Sequence, residues 1–202
     1  MIPQFKISEL LSTAFEKNHS DDDDSLSLND IMTLLHDRGF GILIMLFALP
    51  NFVPAFIPFV STVFGVPQMI LCLQMMLKYD APKLPNKIGN KTIKRHSLQV
   101  GITKSIPLIK KMEKIIRPRM QSILTPSFEA VVAGFMLIFA TLVSLPIPLG
   151  NFMPSVALFV IGMGILLRDG LAVIIGVIIG SIWTLLLIFC YGQLVRFVES
   201  LF

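Results

Sequence analysis

The chain has 202 residues, of which 54% are hydrophobic and 15% charged, against roughly 25% charged in an ordinary soluble domain. A water-soluble globule of this size needs more charge to cover its outside, so much of the surface is expected to face lipid. The 13 glycines and 13 prolines follow no triplet period, and the two cysteines, Cys72 and Cys190, lie in apolar runs, which excludes collagen-like and disulfide-stapled folds.

The first 38 residues hold eight acids against three bases and read as an acidic, cytoplasmic, helical region. Ile2, Phe5, Ile7, Leu10, Leu11, Ala14 and Phe15 make one helical face over Ile2 to Lys17. No basic start or cleavage site of a signal peptide is present. Asp21 to Asp24 lack the glycine and terminal glutamate of a calcium-binding loop and read as a solvated tether. Ser27 with Asp30 forms a capping signature that starts a second helix running toward Arg38.

From Gly39 to Leu77 there are 39 residues without a charge. As one helix this run would be almost 60 Å long at about 1.5 Å per residue, twice a bilayer core of about 30 Å. Pro50, Pro54 and Pro58 cluster where such a run must turn back. Residues 39–77 are therefore expected to form a proline-broken helical hairpin, with a short first arm and a second arm, Phe59 to Leu77, long enough to span.

Residues 78–127 reverse the charge, with twelve bases against Asp80 and Glu113. No aromatic residue lies between Lys83 and Gln121 to stack on bases, so nucleic acid is not the expected partner. A basic stretch between two apolar runs marks a cytoplasmic loop by the positive-inside rule, and its segment Ser105 to Met112 suits an anionic lipid surface. The loop and the acidic N-terminal region are complementary in charge.

A second charge-free run, Ala130 to Leu167, has 38 residues and breaks at Pro146, Pro148 and Pro154, so residues 128–167 are read as a second broken hairpin. The two breaks share L-P-x5-F-x-P-x-V: Leu49-Pro50, Phe56, Pro58 and Val60 recur 96 residues later as Leu145-Pro146, Phe152, Pro154 and Val156. An internal repeat is the natural reading. Residues 171–192 form one further span, in which Gly176 and Gly180 allow close helix approach. The expected fold is thus an all-α integral-membrane, polytopic bundle: residues 1–38 outside, residues 39–202 the membrane domain.

Several landmarks give the chain a family resemblance. They are Asp37-Arg38-Gly39-Phe40-Gly41, Ala48-Leu49-Pro50-Asn51, Ser61-Thr62-Val63-Phe64-Gly65-Val66-Pro67, Gln74, Arg95 with Ser97, Arg117-Pro118-Arg119, Pro146 to Asn151 with Pro154, and Arg168-Asp169-Gly170. In this order they resemble the exopolysaccharide-synthesis ExoD family of bacterial inner-membrane proteins over about residues 26–195. The chain has Pro82-Lys83-Leu84-Pro85 where the family commonly has P-W-L-P. The resemblance implies an inner-membrane location and a link to exopolysaccharide production. It carries no defined reaction and no catalytic residues.

Chemistry must come from the residues. The three histidines sit in polar segments, no metal-ligand spacing occurs, and there is no phosphate-binding glycine loop, so no enzyme activity, metal or cofactor is expected. Proline-broken helices leave backbone groups unpaired, tolerable in a membrane only against protein or a wet cavity. The expected binding site therefore lies at the breaks. Asn51, Ser61, Thr62, Gln68, Gln74, Asn151 and Ser155 would supply hydrogen bonds there, with Arg38, Arg168 and Asp169 as the charged members. Its ligand would be an anionic solute or a lipid-linked intermediate, such as an anionic or polyprenyl-phosphate-type lipid. Two other readings stay open: the same polar residues serve only to satisfy the breaks, or the chain is a non-catalytic accessory subunit docking onto polysaccharide machinery. The partners are then the bilayer and that machinery, with a homo-oligomer left open.

Overall fold

A computed structural model describes residues 25–52, 60–85, 89–90, 92–94, 119–145 and 150–200. The expected N-terminal helix, the aspartate tether, the Ser105 to Met112 segment and Pro54, Pro58, Pro146 and Pro148 lie outside the described residues.

The chain folds as a helical bundle. Helix α1 covers Leu28–Leu35 and α2 covers Asp37–Ala48, separated by His36 at a positive φ of 48°. A 3-10 turn, Leu49–Phe52, closes α2, and α3 follows at Val60–Met76. The second hairpin is α4, Pro126–Ser144, and α5, Phe152–Leu167. Helix α6 then runs over Gly170–Glu199. The exception to helix among the described residues is a short antiparallel ladder of β1, Ser25–Ser27, with β2, Thr92–Lys94, in which Leu26 faces Ile93.

Local chemistry sets the helix ends. Thr125 caps α4 by accepting the Phe128 N–H at 3.3 Å, and Pro126 occupies the first helical position, where no N–H is needed. Asp169 accepts the N–H groups of Leu171 and Ala172 at 3.0 and 3.3 Å, and so caps α6. Between α5 and α6, Arg168 takes the left-handed conformation, φ 56° and ψ 39°, that ends a helix abruptly.

The pairing of arms fixes the architecture. Helix α2 packs mainly on α5, α3 on α4, and α6 on α5. Exchanging the two hairpins turns the first of these pairs into the second, the relation an internal repeat produces. Both pairs run antiparallel. Asp37 meets Arg168 at one end, while Phe52 lies against Phe152 at the other. Likewise Lys78 meets Ser127 at one end, and Thr62 meets Ser144 at the other. All four arms therefore place their proline breaks at one end of the bundle and their charges at the opposite end.

Glycines let the backbones approach. A Cβ at Gly41 would stand 2.5 Å from the Gly162 carbonyl oxygen, and one at Gly176 would stand 3.1 Å from the Ala157 oxygen. Around these contacts lies the core of Phe40, Leu43, Ile44, Met136, Phe139, Leu158, Ile161 and Ile165. Outward positions are apolar too, among them Val63, Ile70, Val131, Ile138, Ile182 and Leu185. Pro126–Ser144 and Gly170–Gln193 are long and apolar enough to cross a membrane by length and composition. Helices α3 and α5 are shorter, at 17 and 16 residues.

Candidate functional site

The expected site residues separate into two groups at opposite ends of the bundle. Arg38, Gln74, Arg168 and Asp169 belong to the charged end; Asn51, Ser61, Thr62, Asn151 and Ser155 belong to the break end. Helix α2 has 12 residues and α5 has 16, so the ends are about 18–24 Å apart at 1.5 Å per residue. Arg38 and Arg168 thus stand too far from the breaks to neutralise an anion there.

At the charged end, Arg168 Nη2 donates to Asp37 Oδ2 at 2.8 Å and joins the second hairpin to the first. Each side chain is about one-third exposed. Glu129, in the first turn of α4, is within electrostatic reach of both. Arg38 stands beside Asp37 in the first turn of α2. Asp169 is buried by its capping role. Gln74 has a structural role, since its Nε2 donates to the Lys83 carbonyl at 2.9 Å and its Oε1 accepts the Lys83 N–H at 2.8 Å. That two-way bond holds the Pro82-Lys83-Leu84-Pro85 turn against the end of α3.

The break end has a different chemistry. Thr62 Oγ1 donates to the Ser144 carbonyl at 2.8 Å, and Ser155 Oγ donates to the Asn151 carbonyl at 2.7 Å. Thr62 thereby satisfies a carbonyl at the end of α4, whereas the Asn151 carbonyl also accepts the Ser155 N–H at 3.2 Å. Ser61 lies in the first turn of α3, half-buried. Asn51 is 6% exposed, and its Nδ2 donates to the Phe47 carbonyl at 3.2 Å. Its Oδ1 is buried without a partner, as is Asn151 Oδ1. Rings lie at the same end. Phe52 meets Phe152 and Phe159 edge-on, with centroids 6.1 and 5.3 Å away, and Trp183 Nε1 donates to the Gly150 carbonyl at 3.2 Å.

Gln68 completes the set, although sequence reasoning treated it only as one more neutral side chain. It is 0% exposed, its Nε2 donates to the Ile44 carbonyl at 3.2 Å, and its Oε1 is buried without a partner. Ile44 and Phe47 are three residues apart on α2, so the Gln68 and Asn51 amides hang about one helical turn apart on one face. A sequence signal for the break end existed. Asn-Phe-x-Pro occurs at Asn51 to Pro54 and again at Asn151 to Pro154, and the two phenylalanines are the pair in contact.

Comparison with known proteins agrees with the resemblance. The family described as "Exopolysaccharide synthesis, ExoD" matches residues 7–189, reaching into the N-terminal segment that the motifs left out. Protein ExoD of Rhizobium meliloti is 31% identical over 153 residues, covering 74% of this chain and 63% of that protein. The match thus spans less than two thirds of that relative's length. An uncharacterized protein of Synechocystis sp. is 29% identical over 189 residues, covering 88% of this chain and 87% of that protein. No solved structure matches.

Proposed function

Since the chain belongs to the exopolysaccharide-synthesis ExoD family, we propose that it is a multi-pass bacterial inner-membrane protein that handles a lipid-linked intermediate of exopolysaccharide production where its two breaks meet. The observation that carries this reading is the meeting itself: two hairpins far apart in sequence bring buried, unpartnered amide oxygens to one end of the bundle. An unpaired buried acceptor is unfavourable unless a ligand or water satisfies it. Amides and hydroxyls in place of carboxylates support holding a molecule over breaking its bonds, so the role is non-catalytic.

Orientation follows from charge. The basic loop marks the cytoplasmic side, and the β1–β2 ladder ties the N-terminal region to that loop. The breaks then lie toward the periplasm. With α5 at 16 residues, they sit about 24 Å from the cytoplasmic edge of a core of about 30 Å. A lipid-linked headgroup reaches that depth from the far leaflet.

The test is photo-crosslinking in cells producing polysaccharide, with a photoreactive residue at Phe152 and, as control, at the outward-facing Leu46. The reading expects a saccharide-bearing lipid adduct at Phe152 only. It fails if the two positions give the same adducts. The accessory-subunit reading rests on the same ladder, which pairs Ser25–Ser27 with Thr92–Lys94, and predicts protein adducts in their place.

A further inference from the structure

The break-end amides also say what part of a ligand they take. In Asn51 and Gln68 the amide nitrogen is committed to a helix carbonyl, Phe47 O and Ile44 O respectively. Turning either amide over would set oxygen against oxygen, so the orientation is fixed and the oxygen is the free group. Asn51 Oδ1 and Asn151 Oδ1 at the break, and Gln68 Oε1 at the middle of α3 about one helical turn deeper along α2, are therefore three acceptors lacking donors, two of them on side chains more than nine-tenths buried.

A phosphate or carboxylate brings only lone pairs and would leave all three unpaired. A hard divalent cation wants at least six oxygen ligands and commonly carboxylates, and the expected and observed residues at this end are neutral. Hydroxyl groups fit, because each supplies one O–H donor. The rings of Phe52, Phe152 and Phe159 beside the amides give apolar faces of the kind that line small-molecule sites around a few placed polar groups. A sugar ring has both parts: hydroxyls at its rim and C–H groups on its faces.

We propose that the break end binds the hydroxyls of a neutral sugar moiety, not the phosphate, of the lipid-linked intermediate. This rests on the reading of the breaks as a binding site. The charged end, with Asp37 and Arg168 committed to each other, takes no part in it.

Trp183 is the only tryptophan in the chain, and its bond to Gly150 makes it a built-in reporter of the break end. The full chain in nanodiscs of phosphatidylethanolamine and phosphatidylglycerol is titrated with undecaprenyl phosphate, undecaprenyl phosphoglucose and monoglucosyl diacylglycerol. Both glucolipids are expected to shift Trp183 emission, with undecaprenyl phosphate at least tenfold weaker. Asn51→Leu and Gln68→Met are each expected to weaken glucolipid binding at least tenfold without lowering the melting temperature. Equal affinity for undecaprenyl phosphate and its glucosyl form overturns the sugar assignment and leaves the binding site standing. An emission shift with sodium or potassium alone, or variants that bind glucolipid like the parent, overturns it as well. Failure of all three lipids to bind overturns the assignment and the proposed function together. The probe comparison uses the unaltered chain, so it decides even where a variant does not fold.

Discussion

Replacing Gly41 by alanine tests the packing of the two hairpins directly. The added Cβ would lie 2.5 Å from the Gly162 oxygen and 2.8 Å from the Leu166 nitrogen, both backbone atoms that no rotamer change can move, whereas ordinary contact begins at 3.4 Å. Helices α2 and α5 must therefore separate by almost 1 Å, and a gap of about 0.5–1 Å forfeits a quarter to a half of each dispersion contact. Phe40, Leu43 and Ile44 on α2 and Leu158, Ile161 and Ile165 on α5 are all buried there, so the penalty belongs at the upper end of the usual 1–3 kcal/mol for overpacking, about 2–3 kcal/mol. Gly134→Ala is the matched control. Nothing lies within 4 Å of its Cβ position, and alanine in a helix interior is better than glycine by roughly 0.5–1 kcal/mol. Reversible unfolding in mixed micelles titrated with sodium dodecyl sulfate should separate the two variants by about 3 kcal/mol, roughly a hundredfold in the equilibrium constant. If they unfold within about 0.5 kcal/mol of each other, the close α2–α5 approach is refuted.

Gln68→Met should stabilise the unliganded protein by about 1 kcal/mol, since it loses one hydrogen bond of about 1 kcal/mol and relieves a buried unpaired oxygen of about 1–3 kcal/mol. A melting temperature below that of the parent would mean the oxygen has a partner. A double-mutant cycle on Asp37→Ala and Arg168→Ala should give a coupling of about 0.5–1 kcal/mol, because a pair one-third exposed is screened by water. A coupling above about 2 kcal/mol would place the pair in a dry environment. On a Cys190→Ser background, a membrane-impermeant maleimide should label Ser200→Cys in intact spheroplasts and Asp80→Cys only after lysis. The reverse pattern would invert the proposed orientation.

The breaks and arms were legible because proline and run length act locally. Proline clusters at Pro50 to Pro58 and Pro146 to Pro154 mark where helices must stop, and helices end or begin on either side of both. What the string of residues lacked was the antiparallel pairing of α2 with α5 and α3 with α4. Helix length carries Arg38 and Gln74 away from the breaks, and the pairing gathers them with Arg168 and Asp169 at the opposite end. Gln68 stood out no further than the other neutral side chains because a lone glutamine in an apolar helix beside Pro67 carries no periodic signal. The repeat hid the Asn-Phe-x-Pro match for a related reason. The arms align at 96 residues and the asparagines at 100, a four-residue offset at the second break. The β1–β2 ladder has three residues per strand, too few for alternation to show.

That ladder bears on the order of events during synthesis. Its strands are complete once residue 94 has emerged, whereas α5, the partner of α2, ends at Leu167. At about 5–20 residues per second, the intervening stretch takes several seconds to roughly a quarter of a minute. For that interval the newborn first hairpin has Gly41, Phe40 and Ile44 without the surface they fit, and for the first part of it Thr62 waits for Ser144, 82 residues ahead. The ladder and the Gln68 bond to the Ile44 carbonyl are long-range fastenings that can already form at the start of this interval, the ladder holding the entry to α1 beside the loop that follows α3 while the rest is made. Its benefit would then appear in the yield of correctly inserted protein more than in the stability of the finished fold.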